Sequence, residues 1–179
     1  SLGVNVLIFD YAGFGLSDGK VSEVQTYRDV EAAWRFLIQD KLTDPAAIVL
    51  FGRSLGGAVA TWVAAKEEPG ALILESTFVS IIAMGKKMYP IFPVRLLARV
   101  RYDSAALIEK IKSPKLFIHS RDDETIPFDH GVALYSKAQE PKIFVEIRGS
   151  HNAGFLDSGR DYIVPLQSFF RMVESRLAS

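Results

Sequence analysis

Ser54 stands in the run Phe51-Gly52-Arg53-Ser54-Leu55-Gly56-Gly57, a Gly-x-Ser-x-Gly turn between a strand-like stretch and a helical one. Such a turn holds a serine at its tip in a strained conformation, with the N–H groups of the next helix behind it. A serine hydroxyl is a weak nucleophile until a base takes its proton, and the base needs an acid to orient it. The chain has three histidines. His119 ends a strand-like run and His130 opens a helical one, and both read as structural or surface residues. His151 lies in Gly149-Ser150-His151-Asn152-Ala153-Gly154, between the last strand and the last helix, where a base reaches the carboxyl edge of a parallel sheet. The acid is expected in the preceding loop, where Asp122, Asp123 and Glu124 follow one another. Residue type does not choose among the three, although order and position favour the central one.

These residues need a scaffold. Val4–Phe9, Ala47–Phe51, Ala71–Leu74, Lys115–His119 and Ile143–Ile147 are short apolar runs suited to parallel strands covered on both faces. Between them Val24, Tyr27, Val30, Trp34 and Leu37 recur at helical spacing. Leu55, Val59, Trp62 and Val63 do the same, and so do Tyr162, Leu166, Phe169, Phe170, Val173 and Leu177, with Pro165 expected in the first turn of that last helix. The alternation predicts an α/β domain spanning 1–179, three-layered, with a mainly parallel sheet. Residues 78–104 interrupt it as a cap- or lid-like insertion with two short helical stretches and Pro90 and Pro93. Within it Arg95 and Arg99, beside Phe92, Leu96, Leu97 and Val100, form a small basic amphipathic surface. That surface packs on the domain or, through residues 91–101, touches acyl chains or a membrane.

Composition excludes several classes. Lys+Arg and Asp+Glu each number 21, so there is no basic excess to bind nucleic acid. Without cysteine there are no disulfides, thiol nucleophiles or thiolate metal sites. The histidines lack metal-ligand spacing, and no cofactor is implied. Gly13, Gly15 and Gly19 imitate a dinucleotide fingerprint, but the second strand ends Phe51-Gly52-Arg53 without the acidic residue that reading requires. Ser54-Leu55-Gly56-Gly57 has no lysine for a phosphate loop.

With these motifs in place, the chain resembles the α/β-hydrolase superfamily, in particular its small serine hydrolases with membrane-attached lipid or protein deacylases among them. Ser120-Arg121-Asp122-Asp123-Glu124-Thr125-Ile126-Pro127 resembles that family's acid loop, which implies Asp123 as the acid. Gly149-Ser150-His151-Asn152 resembles its histidine loop, which implies His151 as the base. Asp10-Tyr11-Ala12-Gly13-Phe14-Gly15-Leu16-Ser17 resembles its Asp-Tyr-Arg-Gly-x-Gly-x-Ser turn, with Ala12 where arginine is usual. Glu75-Ser76-Thr77-Phe78, Tyr89-Pro90 and Arg101-Tyr102-Asp103-Ser104 are similar to the same branch.

The resemblance implies a serine hydrolase that cleaves carboxylic esters or thioesters through an acyl-enzyme, with a small-molecule acyl substrate and no cofactor or metal. It also implies a strand and a His-Gly loop ahead of the Asp-Tyr-x-Gly turn, whereas this sequence begins directly before the next strand. The expectation is therefore an N-terminally truncated fold in which Val4–Phe9 and Ala47–Phe51 either pair directly or leave a gap. The Leu55 N–H is then the one assured oxyanion donor, and loss of a second costs about a hundred- to a thousandfold in rate. The alternative is a non-catalytic module with an incomplete oxyanion hole.

Overall fold

The computed structural model of the chain describes residues 3–88, 91–93 and 98–177. Tyr89 and Pro90 of the insertion, and Arg95, Leu96 and Leu97 of its expected basic surface, lie outside the described residues.

Four parallel strands form one sheet in the order β1 (Val49–Arg53), β2 (Ala71–Glu75), β3 (Lys115–Ser120) and β4 (Lys142–Ile147). Helices α1 (Glu23–Arg35) and α2 (Leu55–Glu67) flank β1 in sequence. α3 (Ile81–Met88) and α4 (Ser104–Ile108) lie between β2 and β3, and α5 (Phe128–Lys137) between β3 and β4. The short α6 (Gly154–Asp157) and the long α7 (Arg160–Leu177) close the chain.

β2 explains why the sheet is covered twice. Its five residues are all buried, and the four apolar ones alternate between two cores. Leu72 and Leu74 pack with Ala60 and Ala64 of α2, Ala105 and Ile108 of α4, and Leu134 of α5. Ala71 and Ile73 face the opposite way, onto Tyr162, Leu166, Phe169 and Val173 of α7. The period of two in the strand and of about 3.6 in the helix thus meet on one surface. A third cluster joins Val30 and Trp34 of α1 to Ala58, Val59 and Val63 of α2, and there Tyr27 stacks on Trp62 at 4.5 Å. Residues 78–104 are tied down at both flanks. Ala105 N–H donates to Val79 O at 3.1 Å, and Glu23 of α1 accepts the Arg101 and Tyr102 N–H groups at 2.6 and 2.9 Å.

Three expectations need correction. Val4–Phe9 forms no strand, and of the two arrangements expected for it direct pairing with the Ala47–Phe51 stretch is not made. A strand persists only against a neighbour that takes up its backbone bonds. β1 stands at the edge of the sheet and pairs only with β2, but the 4–9 segment does not lie along its other edge, and Val6 (74%) and Ile8 (85%) stand exposed. The strand read as Ala47–Phe51 is displaced two residues along the chain, because Asp44 caps a turn of 3₁₀-helix at Pro45–Ala47. Pro165 is not in the first turn of α7. The helix begins at Arg160, drawn back by the Ser158 and Gly159 carbonyls, and carries the proline in its interior.

Candidate active site

β1 enters the turn at Ser54, whose backbone sits at φ 53°, ψ −123°, a region that L-residues rarely adopt. The surroundings hold it there. Ser54 N–H donates to the Glu75 carbonyl at 3.0 Å. The Ser54 carbonyl accepts from Gly57 N–H at 3.0 Å and from the Thr77 hydroxyl at 2.8 Å. Helix α2 starts immediately, at Leu55, so the first amides of that helix lie behind the serine.

The glycines contribute unequally. A Cβ on Gly52 would lie 2.6 Å from Gly57 Cα and 2.7 Å from Ala60 Cβ, and one on Gly57 would lie 2.5 Å from Thr77 Cβ. At Gly56 the nearest atom is the Tyr11 hydroxyl, at an ordinary 3.7 Å. Close approach of α2 to β1 and to Thr77 requires Gly52 and Gly57, so the apparent symmetry of Gly52 and Gly56 about the serine is not what the packing uses.

The acidic loop and the histidine loop leave the neighbouring strands β3 and β4, whose ends are in register at Ser120 and Ile147. All three carboxylates of the acidic loop bond the histidine loop. Asp123 meets His151 Nδ1 with both oxygens, at 3.0 and 2.8 Å. Glu124 accepts the His151 backbone N–H at 3.0 Å, and Asp122 accepts that of Gly149 at 3.1 Å. Asp123 also accepts the N–H groups of Thr125 and Ile126, at 3.0 and 2.7 Å. Burial opposes its ionisation, but the Ile126 N–H, the imidazole and the Thr125 N–H outweigh it and hold the carboxyl below the usual aspartate range. An ionised carboxylate only accepts, so His151 carries a proton on Nδ1, directed at Asp123.

His119 is buried near the same carboxylate. Its Nε2 lies 2.8 Å from the Ile126 carbonyl and 3.6 Å from Asp123 Oδ2. His130 accepts the Val79 N–H on Nδ1 at 3.2 Å, where the 78–104 segment begins. Burial pushes both imidazoles below the ordinary histidine value.

Sequence reasoning missed the connection between the serine turn and the histidine loop. Arg53 donates through one guanidinium nitrogen to the His151 carbonyl and, at 3.2 Å, to Asn152 Oδ1. Its Nε lies 3.2 Å from Glu75 Oε1, a charge contact rather than an aligned hydrogen bond. Glu75 is only 3% exposed, and its second oxygen accepts the Tyr162 hydroxyl at 2.7 Å. Burial raises the Glu75 pKa, against the lowering effect of Tyr162, Arg53 and His151. A glutamate closing an otherwise apolar strand was the signal for this network.

Among the described residues no group of three histidine, cysteine or acidic side chains is placed to hold a metal ion, and no helix is long and apolar enough to cross a membrane. A cleft of about 500 Å³ between the N-terminal loop and α1, lined by Leu7, Phe9, Asp29 and Phe36 among others, includes none of Ser54, Asp123 and His151.

Similarity to known proteins agrees with this architecture. The model of the prolyl oligopeptidase family matches residues 20–156. An uncharacterized protein of Mycobacterium tuberculosis is 37% identical over 169 residues, which cover 94% of this chain and 60% of that protein. The human alpha/beta hydrolase domain-containing protein 17B is 36% identical over 156 residues, covering 83% of this chain and 50% of the relative. The chain thus spans 60% and 50% of the length of these two relatives. In the crystal structure of the alpha/beta hydrolase GrgF from Penicillium sp. sh18, the fold superposes with a TM-score of 0.71 over 95% of this chain and 79% of that one, at 17% identity.

Proposed function

Since this chain belongs to the prolyl oligopeptidase family, within the α/β-hydrolase superfamily, we propose that it is a serine hydrolase of carboxylic esters or thioesters, with Ser54, His151 and Asp123 as its triad. The observation that carries this reading is the two-oxygen bond from Asp123 to His151 Nδ1, on the loop that Arg53 joins to the strained Ser54 turn.

In this reading His151 Nε2 removes the Ser54 proton as Oγ attacks the acyl carbon. Asp123 holds the Nδ1–H tautomer and stabilises the imidazolium that forms. The Leu55 N–H, at the head of α2, donates to the oxyanion of the tetrahedral intermediate. His151 then gives its proton to the departing alcohol or thiol, leaving Ser54 acylated. Water, deprotonated by His151, attacks the acyl carbon, and Ser54 leaves with the proton returned to it. No step draws on a cofactor.

The exposed side chains of Ile91 (93%) and Phe92 (62%) support an apolar acyl chain, and contact with a membrane through residues 91–101, as the partner of this site. The test is labelling by a fluorophosphonate, followed by turnover of p-nitrophenyl esters of increasing chain length beside an aminoacyl anilide. Labelling of the wild type but not of Ser54→Ala supports the hydrolase. A folded, unlabelled wild type favours a binding module, and preference for the anilide moves the substrate class from esters to peptides.

A further inference from the structure

The main chain of His151 is held separately from its ring. Its N–H is bound by Glu124, and its carbonyl by a guanidinium that belongs to the residue directly before the serine. β1 and β2 are in register at Arg53 and Glu75, so the acidic partner stands beside the arginine at the carboxyl edge of the sheet. The same Glu75 binds the Ser54 N–H through its carbonyl and Tyr162 of α7 through its carboxylate. Phe155, just past the histidine loop, lies 6.0 Å below the guanidinium.

We infer that Arg53 is a positioning residue, which fixes the histidine loop to the serine turn and is itself held by Glu75. The inference rests on the reading of His151 as the base. Its physical sense is rigidity between two groups 97 residues apart in sequence, Ser54 and His151. The nucleophile's own strand carries the clamp, so a displacement of β1 carries the base with it. Stability alone is a poor reason for such a pair, because a buried ion pair is often no better than apolar packing. The guanidinium's acceptors on the loop, the His151 carbonyl and the Asn152 amide oxygen, give it a function that packing would not supply. A displacement of about 1 Å in such a constellation costs on the order of a hundredfold in rate.

The experiment compares wild type, Arg53→Met, Arg53→Lys and Glu75→Gln, each checked for folding by thermal melting. The first readout is the His151 Nδ1–H in proton–nitrogen correlation spectra, assigned with His151→Gln. It reports the geometry of the loop whether or not the protein turns over an ester. The expected result is a His151 Nδ1–H that broadens or exchanges faster in Arg53→Met and is partly restored in Arg53→Lys. Fluorophosphonate labelling should slow at least tenfold in Arg53→Met, with kcat lowered and KM little changed on a p-nitrophenyl ester. A folded Arg53→Met with an unchanged His151 resonance overturns the inference, whatever its rate. If Arg53→Met does not fold, Glu75→Gln decides, because it removes the charge that holds Arg53: a perturbed resonance supports the clamp, and a wild-type one overturns it. Failure of the wild type to label, with its resonance sensitive to Arg53, rejects the hydrolase reading and leaves the clamp standing.

Discussion

Asp123 offers both carboxylate oxygens to His151 Nδ1, at 3.0 and 2.8 Å, and the same carboxylate is anchored by the Thr125 and Ile126 amides. In Asp123→Asn the oxygen can keep the two backbone bonds, while the new NH₂ faces a ring nitrogen that must donate. The imidazole then turns to the wrong tautomer. Ester turnover should fall by about 10³–10⁴ in a protein that still folds, with the melting temperature lowered by loss of the charged acceptor. Asp122→Asn and Glu124→Gln retain an acceptor for Gly149 and His151, so each should cost less than about tenfold on the same scale. A larger loss in either would transfer the acid's role.

Stability should fall in two steps as pH is lowered. His119 and His130 have folded-state pKa values below their ordinary value. The unfolded chain therefore takes up those protons first, and their contribution is complete above about pH 6.5 and declines below it. Asp123 is also depressed, so its contribution is present above about pH 4 and is lost as pH falls through its lower folded value. Urea midpoints measured from pH 8 to 3 should show both declines. His130→Gln, which still offers an oxygen to Val79 N–H, should flatten the first. A midpoint constant between pH 7 and 5 would contradict neutral burial of the two histidines.

The glycines of the serine turn should separate on substitution by alanine. Gly52→Ala and Gly57→Ala force atoms into backbone, Ala60 and Thr77, and each should destabilise by roughly 2–4 kcal/mol. Gly56→Ala meets only ordinary contact and gains helix propensity, so it should melt at or above the wild-type temperature. Thermal scans of the three variants check the order.

Ser54 pays for its position in backbone strain, and glycine relieves it. Ser54→Gly should therefore be more stable than Ser54→Ala by about 1 kcal/mol, both being inactive. Equal chemical denaturation curves for the two would show that the turn is not strained.

Much of this was legible because strand and helix periods are written in side-chain type. The apolar runs at 71–74 and 115–119 became strands because each lies between two others, where an unbroken hydrophobic run has two faces to bury. The run at Val4–Phe9 has the same composition and did not, since a strand is a property of a pair and composition reports one member. The site divides similarly. Ser54, Asp123 and His151 stood in local motifs, and turns are local. Glu124 and Asp122 are rival candidates for the acid by residue type, and only the β3–β4 register, which brings their loop against Gly149 and His151, shows what each binds. Arg53 and Glu75 are partners only because two strand ends align, and no spacing along the chain encodes that. Pro165 misled because the cap of a helix is set by the residues before it.

The register that aligns the strand ends also bears on how the protein folds. The Arg53–His151 contact spans 98 residues and the Asp123–His151 contact 28, and all four strands pair in parallel, which excludes hairpin closure at every step. Contacts so distant in sequence carry a large entropic cost before they return any energy, and such topologies fold slowly. No half-formed sheet can hold the serine turn and the histidine loop together. In refolding from urea, recovery of fluorophosphonate reactivity should coincide with the last and slowest phase and never precede it, so chemical competence would serve as a clock for completion of the whole sheet.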